Sequence, residues 1–100
     1  MEKKYKEFYD RCIRVWGVDA QIKMCIEEMS ELTKELCKFY RAGEMNAPDE
    51  VKNHVIEEIA DVQNMVDQMQ HIFGEDAVDR VREEKKKRTE KYLEIDERKN

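Results

Sequence analysis

The stretch DEVKNHVIEEIADVQNMVDQMQHIF, residues 49–73, decides the fold. At about 100° per residue, its apolar side chains gather on one arc of a helix. With Glu58 set at zero, Val51 and Met69 fall about 20° to one side and Met65 about 20° to the other. Val62 and Val55 lie at about 40° and 60°, and Ile72 at about −40°. Asp49 is a candidate cap for the start, and Gly74 stands just past the end. Glu58 therefore sits inside the arc that should be buried. Asp61 is on its shoulder, about 60° round, and His54 lies between the two directions.

The segments on either side read the same way. Tyr5, Phe8, Tyr9, Cys12 and Ile13 recur at three- and four-residue steps, predicting a first helix from about Glu2 to Val15 that Gly17 ends. A second helix, capped by Asp19, runs to about Arg41 and stops at Gly43. The segment from Gly43 to Asp49 holds the only Pro and is the clearest loop. A fourth helix starts near Glu75. Its residues 82–100 are mostly charged, with Glu83–Lys87, Glu84–Arg88 and Glu94–Arg98 in the favourable i,i+4 order. Val78, Val81, Tyr92 and Leu93 give this part only a thin apolar stripe, so it reads as a solvated helix that frays at its end.

Composition agrees with an all-α fold. Three Gly and one Pro are too few for the turns of an all-β domain, and 43% charged residues suit helices wet on one face. One hundred residues make one domain, 1–100. A net charge of −5 argues against binding a nucleic-acid polymer. No apolar run approaches the ~18 residues of a membrane span. The start, Met1-Glu2-Lys3-Lys4-Tyr5, has no signal-peptide core. Cys12, Cys25 and Cys37 all lie in apolar patterns without a CxxC pair, as small core residues of a cytoplasmic protein would. Trp16, Phe39, Tyr40, Phe73 and Met24, Met29, Met65 and Met69 exceed what one helical hairpin covers, so a homodimer or homotetramer is expected to complete the bundle.

The second helix repeats the arrangement of the third. With Glu28 at zero, Phe39, Leu32 and Cys25 lie at about 20°, 40° and 60°, and Met24 at about −40°. Glu31 falls on the shoulder, as Asp61 does. Burying ionised carboxylates without partners costs several kcal/mol each. Neither arc carries a Lys or Arg near its centre to offset it. A divalent cation is the economical answer, and an all-carboxylate set suits Mg²⁺, or alternatively Mn²⁺, rather than zinc. A di-iron bundle would need Glu-x-x-His twice. The residues three before His54 and His71 are Val51 and Gln68, so that pattern is absent. His54 is expected as a supporting donor or an ordinary polar residue, and His71 at the surface.

Glu27-Glu28-Met29-Ser30-Glu31, followed by Glu58-Ile59-Ala60-Asp61, resembles the EExxE…ExxD signature of the MazG-like all-α nucleoside triphosphate pyrophosphohydrolases. The resemblance covers roughly Trp16 to Ile72. It implies a four-helix MazG-like bundle and Mg²⁺-dependent hydrolysis of a nucleoside triphosphate to the monophosphate and pyrophosphate, with nucleotide-pool house-cleaning as the family's expected role. Carried over by position, Glu28, Glu31, Glu58 and Asp61 would be metal ligands and Glu27 the general base on water. Trp16 would lie against the base, unless it is a core residue of the first helix. Asn64 could reach the base or sugar. Lys34, Lys38 and Arg41, with Lys85 and Arg88, are the phosphate candidates. Two alternatives are a phosphoribosyl-ATP pyrophosphohydrolase and a catalytically inactive helical interaction module.

Overall fold

The computed structural model describes residues 1–43 and 46–99. They form four helices: α1 (Lys3–Trp16), α2 (Val18–Ala42), α3 (Asp49–Phe73) and α4 (Glu75–Lys99). Among the described residues there is no strand. None of the described helices is long and apolar enough to cross a membrane.

The breaks fall at glycines for a local reason. Gly17 has φ 89° and Gly74 φ 123°, backbone that a side chain rarely tolerates. Each glycine donates its N–H to the helix before it, Gly17 to Ile13 O at 2.8 Å and Gly74 to Gln70 O at 2.9 Å. Each carbonyl accepts from the helix that follows, from Gln21 N at 3.2 Å and Val78 N at 3.1 Å. One glycine thus closes one helix and opens the next. This shifts two expected caps. Gly17, not Asp19, precedes α2, and Pro48, not Asp49, precedes α3. Asp19 and Asp49 instead lie in the first turns, where their charge still complements the helix dipole. Part of the loop from Gly43 to Asp49, residues 44 and 45, lies outside the described residues, as does Asn100 of the last segment.

Helices α2 and α3 form an antiparallel hairpin that carries most of the tertiary contact. Helix α1 lies across the end made by the start of α2 and the finish of α3. Its Tyr9 is the one large, fully buried side chain among the described residues. The Tyr9 ring stands 6.2 Å from that of His71, whose Nε2 lies 2.6 Å from Asp10 Oδ1. His71 is therefore a half-buried tie between α1 and α3, not the surface residue expected. Helix α4 packs along α3, and its first residue also reaches α1. At their turn, Gln70 donates to the Glu75 carbonyl at 3.1 Å and to Asp79 Oδ1 at 2.8 Å. Lys6 Nζ reaches Glu75 Oε2 at 3.2 Å. From Val81 to Lys99 every α4 residue is exposed, and helix persists through Lys99.

The core is thin. Cys12 and Cys25 are buried as expected, but Cys37 is exposed on the outer side of α2. The radius of gyration is 17.2 Å, against about 13 Å for a compact chain of this length. Large apolar side chains remain in the open, among them Tyr40 (87% exposed) and Phe73 (69%). On α2 the exposed set Ile26, Met29, Leu36 and Tyr40 follows helical steps, as do Ile56, Ile59, Val66 and Phe73 on α3.

Candidate metal centre

The seam between α2 and α3 contains three polar rungs. Residues seven apart lie nearly one above the other on a helix. On α2 such a line holds Gln21, Glu28 and Glu35, and on α3 it holds His54, Asp61 and Gln68. The antiparallel register sets them level. Gln21 and Gln68 line one cavity. Glu28 and Asp61 belong to one acidic group. Glu35 Oε2 stands 3.8 Å from His54 Nδ1.

The middle rung is the centre. Glu28, Glu58 and Asp61 each offer an oxygen, and the three oxygens lie within 4.8 Å of one another. Glu28 and Glu58 are half-buried and Asp61 is exposed. Glu58 Oε2 is fully buried and accepts no hydrogen bond. Among the described residues, no Lys, Arg or His forms an ion pair with any of the three. Burial first, then the charge of Asp61, a hydrogen bond with Glu58 and the charges of Glu58 and Glu31 hold the Glu28 carboxyl above the usual range. The donor set fits a small hard cation. Oxygens around one Mg²⁺, bound at about 2.1 Å, lie up to roughly 4.2 Å apart, close to the spacing of this group.

A pH dependence follows for the metal-free protein. The raised pKa means that folded Glu28 holds its proton at a pH where the unfolded chain has lost it. Its contribution to stability is full below about pH 4.3, the unfolded value, and is lost as pH rises through the folded one. With metal chelated, the melting temperature of the wild type relative to Glu28→Gln should fall as pH rises from about 4 to 7. A difference that stays constant or widens in favour of the wild type would show that Glu28 is not crowded.

The upper rung opens into a cavity of about 520 Å³ between α1 and the hairpin. Phe8, Trp16, Met24 and Met65 supply apolar wall, and Glu28 and Asp61 form its acidic end. Trp16 is 63% exposed, so it is not a core residue of this chain, and Asn64 lines the same space. The lower rung is separate. Glu35 is buried, its Oε1 accepts from Lys38 Nζ at 3.1 Å, and its Oε2 lacks a hydrogen bond. His54 therefore supports Glu35 rather than the acidic group.

Five of the expected site residues come together: Glu28, Glu58 and Asp61 at the centre, with Trp16 and Asn64 lining the cavity beside them. Glu31 is exposed and stands outside the group, although its charge reaches Glu28. Glu27 is exposed on the polar side of α2, and Lys34 is exposed likewise. Lys85 and Arg88 lie on the stretch of α4 that has left α3 and do not line the cavity. Sequence reasoning missed Gln21, Glu35 and Gln68. The signal was available, since stepping seven residues from Glu28 and Asp61 finds all three. Comparison with family models, curated proteins and solved structures gives no match.

Proposed function

We propose that this chain is a MazG-like, Mg²⁺-dependent nucleoside triphosphate pyrophosphohydrolase. The observation that supports this most is the uncompensated group of Glu28, Glu58 and Asp61 at the end of an apolar cavity. Charge that needs a cation stands beside a space for an organic ligand. A divalent ion held there would supply positive charge and Lewis acidity to a phosphoanhydride. The chain's own part is to fix the carboxylates through α2 and α3 and to seat the nucleoside end against Trp16. Water attacks the α phosphorus, the bond to the β phosphate breaks and pyrophosphate leaves. Glu27, beside Glu28 and open to solvent, is assigned to take the proton.

The test is a panel of ribo- and deoxynucleoside triphosphates and phosphoribosyl-ATP, assayed with Mg²⁺ for monophosphate and pyrophosphate. Metal-dependent pyrophosphate release from at least one is expected. Release of orthophosphate alone, or no release, would overturn the reading.

We further propose that the exposed faces of α2 and α3 meet a second copy of this chain. A compact monomer of this mass exposes about 6,000 Å². This chain exposes 8192 Å². The excess, about 2,000 Å², matches what one subunit brings to an obligate dimer. Light scattering at micromolar concentration should give at least twice the 12.1 kDa chain mass, and a monomer would overturn this.

A further inference from the structure

The amide rung is a polar device in an apolar wall. Gln68 is 2% exposed and Gln21 5%, yet both line the cavity. Gln68 Oε1 accepts no hydrogen bond, not even from the neighbouring Gln21 amide. Native interiors rarely leave such groups unpaired, because each costs free energy until something satisfies it. The terminal torsion of a Gln is soft, so Gln68 Oε1 turns into the cavity with little strain. The space it faces has an aromatic wall in Phe8 and Trp16 and acids at one end. A flat heterocycle whose other end carries phosphates fits that order of surfaces.

We propose that Gln68, assisted by Gln21, reads the edge of a nucleobase that carries an exocyclic amino group, as cytosine and adenine do. This rests on the nucleotide reading above and names the class of base. The orphan atom is a carbonyl oxygen and needs an N–H donor. An exocyclic amino group places two N–H bonds on the outermost atom of the base edge. Beside it is a ring nitrogen that accepts from an amide N–H. The matching oxo base puts an oxygen at that outer position, where it would face the Gln68 carbonyl. Sites built around a buried hydrogen-bonding group reject ligands that leave it unpaired far more strongly than they reject a change of size.

Two pairs of monophosphates probe this edge of the base: dCMP against dUMP, and dAMP against dIMP. Each pair differs in amino against oxo at that position and in the ring nitrogen beside it, an acceptor in the amino member and an N–H donor in the oxo member. Binding is read through the Trp16 indole signal in NMR titrations with Mg²⁺ present, so no turnover is needed. In at least one pair the amino member should bind tighter, by about tenfold or more. Gln68→Met, which keeps volume and removes the acceptor, should reduce that ratio to near one. Gln68→Glu keeps the acceptor and should keep the preference. Equal binding within both pairs, preference for the oxo members, no binding of any of the four, or an unchanged ratio in Gln68→Met would each overturn the assignment. The wild-type ratios stand even if a variant fails to fold. Failure of the parent reading looks different. Selective binding of dCMP or dAMP without pyrophosphate release from dCTP or dATP would leave the base reader intact and remove the hydrolase. Release from all four triphosphates at equal rates, without selective binding, would do the reverse.

Discussion

Glu58→Gln is expected to lose activity by on the order of 100-fold or more, about 2.7 kcal/mol in the barrier, while the protein stays folded. The position of Glu58 is the reason. Its Oε2 is buried without a hydrogen bond, so at that atom the charge does nothing for the apo fold that an amide would not do as well. The shape is kept and the repulsion with Glu28 and Asp61 is relieved. What the amide removes is an anionic ligand from a group of three. Pyrophosphate release by the variant and wild type, with Mg²⁺ titrated for both, is the measurement. A loss that high Mg²⁺ fully recovers would place Glu58 in affinity only. Wild-type turnover at every Mg²⁺ concentration would make Glu58 a structural residue.

Magnesium is expected to raise the melting temperature by roughly 11–22 °C at a hundredfold excess over Kd. The folded group binds the ion and the dispersed acids of the unfolded chain do not, which stabilises by about 2.7 kcal/mol. For a domain of this size each kcal/mol moves Tm by about 4–8 °C. Joint substitution of Glu58→Gln and Asp61→Asn should raise the metal-free Tm, because it leaves Glu28 without like charges in its group, and should abolish the Mg²⁺ increment. Calcium should bind but support turnover poorly, since the larger ion relaxes the geometry. Protein concentration must be constant throughout, as self-association also moves Tm. Melting indifferent to Mg²⁺ and to the double substitution would show that the three acids do not act together.

The elements themselves were legible residue by residue. Gly17 and Gly74 end helices because their positive φ is a property of one residue and its neighbours. The apolar arcs around Glu28 and Glu58 follow from helical period alone, and both acids are half-buried in the folded chain. Capping was less legible, because Gly17 and Pro48 do what Asp19 and Asp49 were expected to do.

Period says which residues share a face, and it is silent on how two faces slide past each other. That offset is set by the packing of α2 on α3, and it decides which acids meet. It brings Asp61 level with Glu28 and leaves Glu31, equally well placed on its own wheel, outside the group. It also sets Gln21 beside Gln68 and Glu35 beside His54. The cavity needs a third element, since it exists only because α1 crosses the end of the hairpin. The exposure of Trp16 and Cys37 is likewise a tertiary result. Each lies on an apolar stripe, and a stripe is buried only where another surface is present to cover it.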